Sequence, residues 1–382
     1  MYPRKGLIVE FGIFNSLYLP KVAREGNPLA EHNRLRDEVD WVVAADKAGF
    51  KYTWATEHHF LDEYSHLSSN ETFLAYVAAL TENIHIGSGI FNITPPVNHP
   101  ARIAERVAVL DHLSGGRFEL GMGRGSSSTE QRGFGIMDMD LTKEMFDEVL
   151  PELPKMWMQD DYSFEGKFFT MPERKILPKP YTNPHPPLWI AAGNPSSFEK
   201  AARLVCGVLC FAHGAPETLE PLIAKYKKEI VNAEPVGGYV NNNVMVTSQM
   251  LCLEDGQRAR EIATNITMGY QNTLVYRWLD TMPKPTWLPE WPKVLPEPTL
   301  EILEEGIKRG MYCIGTPDEV EKAVKGYENI GADQLTFGML STTMPIEVAT
   351  EAVATFGKHI IPKFDTDKVH STTRQREAQI GK

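Results

Sequence analysis

Cysteine, long apolar runs and an excess of positive charge are all scarce in this sequence, and each scarcity removes a class of protein. The chain of 382 residues has four cysteines, which lack metal-type spacing and are too few for a disulfide framework. No apolar run approaches the roughly 20 residues that span a bilayer, and segment 1–5 lacks a signal-peptide core. Lys and Arg number 39 against 50 Asp and Glu, and the net charge of −11 disfavours nucleic acid as a partner. We therefore expect a cytoplasmic protein that binds neither nucleic acid nor membranes.

Short apolar runs alternate with segments of helical period along the chain, a pattern typical of parallel sheets with crossover helices. Eight strands are predicted, at 8–14, 52–57, 84–91, 118–122, 188–192, 208–212, 244–253 and 334–338. Eight strand-helix units favour a (β/α)8 TIM barrel over an open doubly wound sheet, although pattern alone leaves the open sheet possible in principle. We expect residues 1–365 to form this single barrel.

Two proline-rich insertions interrupt the alternation, at about 160–187 and about 277–299. The first is predicted to be an extended connector. The second carries Trp278, Trp287 and Trp291 among prolines that prevent a helix, which is typical of a lid or of a partner surface. The polar segment 366–382 lacks periodicity and is predicted to be a loose C-terminal tail.

Polar residues follow several predicted strands, and in a β/α barrel such strand ends carry the functional residues. Glu57, His58 and His59 end the second strand, and histidine can transfer protons near neutral pH. Adjacent strand residues face opposite ways, so the two histidines are not expected to bind one metal ion, and no metal site is predicted. By spacing alone, His58 and His59 are as compatible with structural hydrogen bonding as with catalysis.

Glycines surround a single arginine after the fourth strand. Gly121, Gly123 and Gly125 leave backbone amides approachable beside Arg124, which suits a phosphate or another anion. The polar residues that follow do not continue the pattern of a dinucleotide-binding fingerprint. A tight turn with a solvated Arg124 explains the same residues.

Asn194, Ser196 and Ser197 follow the fifth strand and precede a helical segment. Hydroxyl and amide groups at a positive helix end would stabilise a phosphate. Helix capping explains them as well, since Ser196 and Glu199 have capping-box spacing and Pro195 suits a first turn.

Taken in order, these motifs resemble those of the bacterial luciferase-like monooxygenases. The resemblance covers roughly residues 8–362 and rests on segments 57–60, 99–100, 104–105, 110–117, 121–125, 134–135, 187–192, 201–202, 315–317 and 331–332. It implies a (β/α)8 barrel that uses reduced FMN from a separate flavin reductase, together with O2, to oxygenate an aldehyde, ketone, sulfonate or alkane. A homodimer is expected.

The resemblance also implies roles for individual residues. His58 would be the active-site acid or base, assisted by Glu57. Arg124, Asn194, Ser196 and Ser197 would hold the FMN phosphate. Gly89 and Ile90 match the place where the family often has a cis peptide under the flavin ring. The remaining residues predicted to bind the cofactor are Asn92, Gly123 and Gly125.

The sequence departs from luciferases at the predicted phosphate site. Where they have a second arginine after Phe134 and Gly135, this chain offers Thr142 and Lys143, and Gly193 replaces an acidic residue. We expect a two-component monooxygenase acting on a small apolar substrate. The alternatives are a deazaflavin-dependent oxidoreductase and a non-catalytic flavin-binding partner subunit.

Overall fold

The computed structural model describes residues 9–282 and 284–381. The predicted first strand begins at Ile8, which lies outside the described residues. The strands are β1 (Glu10–Asn15), β2 (Tyr52–Ala55), β3 (His85–Ser88), β4 (Phe91–Asn92), β5 (Phe118–Gly123), β6 (Tyr162–Glu165), β7 (Thr170–Arg174), β8 (Leu188–Ala191), β9 (Gly207–Phe211), β10 (Val244–Cys252), β11 (Cys313–Gly315) and β12 (Gln334–Gly338).

Helices connect most of these strands and surround them. They are α1 (Lys21–Arg24), α2 (Ala30–Ala48), α3 (Asn70–Ala78), α4 (Pro100–Ser114), α5 (Ser128–Gly133), α6 (Leu141–Val149), α7 (Glu152–Met158), α8 (Pro195–Leu204), α9 (Glu220–Glu229), α10 (Gly256–Thr264), α11 (Met268–Trp278), α12 (Leu300–Lys308), α13 (Pro317–Asn329), α14 (Ile346–His359), α15 (Ile361–Phe364) and α16 (Ser371–Ile380). None of the helices in the described ranges has the length and apolar character that crossing a membrane requires.

Eight parallel strands close into a barrel in the order β1, β2, β3, β5, β8, β9, β10, β12 and back to β1. Closure is made by β9 and β10, which pair from Val208 and Val244 onward. The short β4 pairs with the last residues of β5, and β11 pairs with the carboxyl-terminal residues of β10. The predicted (β/α)8 barrel is therefore confirmed. The sequence pattern did not predict β11, and it predicted one strand where the structure has β3 and β4.

The barrel interior is filled by large side chains from alternate strand positions. Phe14, Tyr52, Trp54, Trp189, Leu209 and Met245 form this inner cluster. Two glycines make room for it, because a Cβ on Gly87 would lie 2.3 Å from the Trp54 ring and one on Gly207 would lie 2.4 Å from the Trp189 ring. The outward-facing strand residues pack against the helices. The interior is thus a packed core, and a ligand must bind at one end.

The first insertion contains more regular structure than the predicted extended connector. Strands β6 and β7 pair in antiparallel fashion within it, with Phe164 opposite Met171. Phe164 and Phe169 stack with ring centroids 4.5 Å apart. Apolar residues on both strands contact each other across the pair. The sequence pattern did not predict this pair of strands, because the segment also contains many prolines.

The second insertion begins later than predicted, because α11 continues through Arg277 and Trp278. The Arg277 guanidinium lies 4.4 Å from the centroid of the Trp278 ring and 3.9 Å from that of Trp291. This cation–π sandwich ties the loop to the helix from which it leaves. Trp287 is 64% exposed and remains outside the sandwich.

The prediction of a loose C-terminal tail is wrong. Residues 371–380 form α16, which lies across the amino-terminal ends of the strands, here called the barrel floor. Ser371 N donates to Glu10, and Thr372 Oγ1 donates to Glu119 at 2.6 Å. Gln375 and Gln379 bond to backbone groups of the segment before β10. The helix docks through polar contacts. Its sequence therefore has no apolar periodicity from which the docking could be predicted.

Candidate functional site

The carboxyl-terminal ends of the barrel strands, here called the mouth, carry the residues that the sequence predicted for the site, except Gly121, whose backbone N–H donates to Ser88 Oγ inside the barrel. Glu57 and His58 follow β2. Gly89 and Ile90 separate β3 from β4, which contains Asn92. Gly123 ends β5 and is followed by Arg124 and Gly125, while Asn194, Ser196 and Ser197 begin α8 after β8. These four segments belong to neighbouring strands, since β2, β3, β5 and β8 are consecutive in the barrel.

A buried carboxylate from α5 holds His58. Glu130 Oε1 lies 3.0 Å from His58 Nδ1, and the same oxygen accepts a hydrogen bond from the backbone N–H of His59 at 2.8 Å. The Tyr64 ring packs edge-on against the imidazole at 5.2 Å. A carboxylate at Nδ1 favours the tautomer with its proton there, which leaves Nε2 available for proton exchange.

Sequence reasoning missed Glu130 and did not predict the helix that contains it. Residues 128–133 form the short helix α5, and the Glu130 side chain is buried. Its second oxygen, Oε2, is buried without a hydrogen-bond partner among the described residues. A carboxylate buried beside a histidine at a strand end is typical of a functional site. The only signal in the sequence was an acidic residue placed shortly after a glycine-rich strand end.

The Glu57 carboxylate is occupied by hydrogen bonds on both oxygens. Oε2 accepts from the backbone N–H of Asn92, and Oε1 accepts from Asn98 Nδ2 and lies 3.1 Å from His59 Nε2. Glu57 therefore ties the end of β2 to β4. With these contacts Glu57 acts as a positioning residue. A catalytic role for Glu57 stays a prediction.

The predicted glycines permit close packing between β4 and the loop after β5. A Cβ on Gly123 would lie 2.7 Å from the Ile90 side chain, and Gly125 has φ +78° with Gln131 Nε2 2.0 Å from an added Cβ. The Gln131 amide donates to the Arg124 carbonyl at 2.6 Å. The Gly89–Ile90 peptide is cis, as the resemblance implied. Larger side chains at Gly123 or Gly125 would displace this surface.

Arg124 is a half-buried cation with an incomplete set of partners. Its Nη1 donates to Thr142 Oγ1 at 2.8 Å, and no carboxylate of a described residue pairs with it. Burial lowers the pKa of the guanidinium below its usual value, although Asp140 opposes this effect. Lys143, the other predicted substitute for a second arginine, pairs instead with exposed Asp140. A desolvated cation without a counter-ion suits an anionic ligand.

The start of α8 is capped by its own residues. Asn194 Oδ1 accepts from Ser197 N at 3.0 Å and from Ser196 Oγ at 2.7 Å, and Ser197 Oγ accepts from the backbone N–H groups of Gly193 and Asn194. The capping box thus joins Asn194 to Ser197, whereas the sequence suggested Ser196 and Glu199. The segment is exposed, and nothing lies within 4 Å of a Cβ added to Gly193. Capping and ligand binding are both compatible with this arrangement.

The second insertion contacts two loops of the mouth. The Asp280 carboxylate accepts from Ser128 N at 2.8 Å and from Ser128 Oγ at 2.5 Å. Thr281 Oγ1 donates to the Ser126 carbonyl. At the end of α11, just before the insertion, Trp278 Nε1 donates to the carbonyl of Asp62, in the loop that follows His58. The insertion and the end of α11 are therefore bound to the segments that contain Arg124, Glu130 and His58.

Within residues 9–282 and 284–381, no group of three or more His, Cys, Asp or Glu side chains could hold a metal ion. The four cysteines are buried and unpaired.

Comparisons with known proteins place this site in context. Residues 11–334 match the family model of the luciferase-like monooxygenases. The chain is 24% identical over 344 residues to the oxygenase component of the flavin-dependent trigonelline monooxygenase of Acinetobacter baylyi, which covers 88% of this chain and 92% of that one. It is 25% identical over 305 residues to an F420-dependent glucose-6-phosphate dehydrogenase of Kineococcus radiotolerans, covering 78% and 85%.

A solved structure shows the same fold. It is the oxygenating constituent of 3,6-diketocamphane monooxygenase from the CAM plasmid of Pseudomonas putida, a type II Baeyer-Villiger monooxygenase in complex with FMN. The TM-score is 0.74 at 18% identity, and the match covers 94% of this chain and 99% of that one.

Proposed function

Since the chain belongs to the luciferase-like monooxygenase family, we propose that it is the oxygenase component of a two-component system. A separate flavin reductase supplies reduced FMN, and the substrate is a small, mainly apolar organic molecule. When bound, reduced FMN would supply two of the four electrons that reduce O2 and the substrate the other two, so that one oxygen atom enters the substrate and the other leaves as water. The oxygenase component among its relatives supports this assignment.

The observation that carries the proposal of a phosphate-bearing flavin is the half-buried Arg124 guanidinium, which has a hydroxyl but no carboxylate among the described residues as partner. A flavin phosphate would provide the missing counter-charge. Thr142 keeps the guanidinium oriented toward this role. Asn194, Ser196 and Ser197 would offer further hydrogen bonds at the positive end of α8.

The surface formed by Gly89, Ile90, Asn92, Gly123 and Gly125 would support the flavin ring system. Ile90 packs closely on Gly123, and the two residues form an apolar surface at the mouth. Asn92 is itself held, since its Oδ1 accepts from the backbone and hydroxyl of Thr94. Rigid support of this kind fixes a bound ring relative to His58.

His58 holds or moves a proton at Nε2 during oxygenation. Glu130 keeps the ring oriented through Nδ1, and Glu57 acts one step further out by holding His59 and β4. The insertion excludes water from the mouth, because water in the site would divert the reaction toward hydrogen peroxide. Proton transfer at His58 and the exclusion of water both depend on side chains and loops that the barrel brings together at the mouth.

The partners of the protein follow from the same proposal. Besides O2 and the reductase, we propose a homodimer, for which the exposed apolar side chains of Tyr76, Leu80, Val109 and Leu113 on and near α3 and α4 offer a surface. Its four free cysteines suit the reducing cytoplasm.

A deazaflavin-dependent hydride transfer is the second candidate, because an F420-dependent dehydrogenase is among the relatives. It needs no oxygen. The non-catalytic partner subunit is disfavoured, since the buried His58–Glu130 pair would have no use there.

The test loads the purified protein with photoreduced FMN without air and then adds 18O2 together with octanal, cyclooctanone or octane. We expect one labelled oxygen atom in the product from at least one of these substrates. His58→Gln should lower product formation by about 10² to 10⁴, the usual contribution of a general acid or base, while FMN binding persists. His32→Gln, on the exposed face of α2, is the matched control.

Two results would overturn the proposal. One is an absence of labelled product from all three substrates while reduced F420 transfers its hydride to octanal or cyclooctanone and gives the alcohol. The other is wild-type turnover in His58→Gln, which would remove that residue from the mechanism.

A further inference from the structure

The sixth barrel strand, β9, directs a histidine toward the mouth that none of the roles above uses. Leu209 lies in the inner cluster, and residues two apart on a strand face the same side. Phe211 is therefore the next inward residue. The ladder continues past the strand, since Ala212 N donates to the Thr247 carbonyl at 2.9 Å, so His213 follows on the same side.

A chain of contacts connects His213 to the proposed flavin surface. Its ring lies 6.3 Å from that of Phe211, which packs edge-on against Phe14 at 5.2 Å. The Phe14 ring in turn lies 3.0 Å from a Cβ placed on Gly89. His213 and Phe211 thus belong to the same end of the barrel as Gly89 and Ile90, on the wall beyond Phe14.

The exposure of Phe211 is unusual for an inward-facing strand residue. Its side chain is 46% exposed, although Phe14 beneath it is only 7% exposed. Removing apolar area from water is favourable, so a ligand that covers this ring gains binding free energy. An exposed aromatic ring inside the mouth indicates the place of an apolar ligand.

His213 adds one polar group to this apolar wall. Its ring is accessible to solvent, yet surrounding protein atoms lower the pKa of the imidazole below its usual value through desolvation alone. No described residue hydrogen-bonds to it, and a neutral imidazole carries one N–H donor.

We propose that Phe14, Phe211 and His213 form the substrate wall of the mouth, and that His213 donates a hydrogen bond to a carbonyl oxygen of the substrate. The inference rests on the proposed monooxygenase function and narrows it. Apolar area with a single donor selects aldehydes and ketones, because a hydrocarbon would leave the donor unpaired in a closed site. His213 is a specificity-determining residue, and His58 remains the proton-transfer group.

The experiment measures oxygenation of cyclooctanone, octanal and octane by the FMN-loaded wild type, His213→Leu and His213→Gln. In the wild type we expect carbonyl substrates to be preferred over octane. His213→Leu should lower kcat/KM for cyclooctanone by about tenfold, which corresponds to the loss of one hydrogen bond in a desolvated site. His213→Gln retains an N–H donor and should recover part of the loss. His32→Leu controls for the removal of an exposed histidine.

A second readout is independent of turnover. Cyclooctanone labelled with 13C at its carbonyl should shift downfield in NMR on binding to the wild type, and this shift should shrink in His213→Leu. FMN affinity should be equal in all variants, which separates substrate binding from cofactor binding.

The outcomes distinguish this inference from the one on which it rests. Labelled product from the wild type with unchanged carbonyl kinetics and carbonyl shift in His213→Leu overturns the role of His213 alone. Preference for octane overturns the carbonyl substrate class. No labelled product from any substrate, together with no FMN binding, overturns the monooxygenase proposal itself.

Discussion

Glu119→Gln is expected to change how the stability of the protein depends on pH. Glu119 lies in β5 at the barrel floor, where it is fully buried. Its Oε2 accepts from Trp189 Nε1 at 2.7 Å, and its Oε1 contacts Thr372 Oγ1 and His85 Nδ1. Desolvation by burial raises the pKa of this carboxyl from 4.5 to about 8, and the negative charge of Glu10 adds to the shift. Glu119 is therefore protonated in the folded protein at neutral pH.

The sign of the effect follows from proton binding. Between the two pKa values the folded state keeps a proton that the unfolded state has lost, so stability falls as pH rises and levels off above about pH 8. Each pH unit costs about 1.4 kcal/mol, so from about pH 6.5 to about pH 9 the wild type loses about 2 kcal/mol through Glu119. Burial lowers the pKa values of neighbouring His85 and His370 to about 3 and about 2, so their opposite effect on stability ends just above pH 6.5 and is common to the wild type and the variant.

Glutamine isolates the titration because it is neutral at every pH and can keep the same hydrogen bonds. Its carbonyl can accept from Trp189 and its amide can donate toward His85 and Thr372. Urea unfolding followed by tryptophan fluorescence at several pH values should show a decline of about 2 kcal/mol in the wild type that is absent from Glu119→Gln. Glu301→Gln on exposed α12 is the control. Parallel curves for wild type and Glu119→Gln would refute the reasoning, since Glu119 would then be ionised in the folded protein.

Three further predictions concern the mouth and the floor. Arg124→Met should weaken FMN binding by about 10- to 100-fold, measured by fluorescence titration, and leave riboflavin nearly unaffected; equal losses would separate Arg124 from the phosphate. Asp280→Ala removes both hydrogen bonds to Ser128 and should raise hydrogen peroxide release at the expense of product; unchanged coupling would show that the insertion does not seal the mouth. Truncation after Asp365 removes α16 and should lower the thermal midpoint, whereas an unchanged midpoint would mean that α16 contributes nothing to the floor.

The location of the candidate site residues at the mouth could be predicted because barrel strands end at one place. Residues that follow different strands converge on the mouth, so polar groups after β2, β5 and β8 could be grouped before any contact was known. The predicted Arg124 and His58 both lie there. Their partners could not be found in this way. Glu130 is 72 residues from His58 in the chain, and only barrel closure places α5 beside the end of β2.

The C-terminal segment illustrates the opposite limit. Its polar residues were interpreted as a loose tail, because a helix without an apolar face has no expected packing surface. The barrel floor offers buried Glu10 and Glu119, which need hydrogen-bond donors, and Ser371 and Thr372 supply them. A polar helix can dock when its target is also polar, and no periodicity in its own sequence reports that target.

The sequence by itself determined the alternation of strands and helices and most of the elements at the mouth, because alternating and helical periodicities record which face of each element is buried. The resemblance to a known family then selected the barrel over the open sheet. Only the tertiary structure decided which polar groups become partners. The pairing of His58 with Glu130 and of Thr372 with Glu119 joins elements whose proximity depends on closure of the whole barrel. Hydrogen bonds and ion contacts act over a few ångströms, so residues distant in the chain acquire them only after the core has fixed where each element lies.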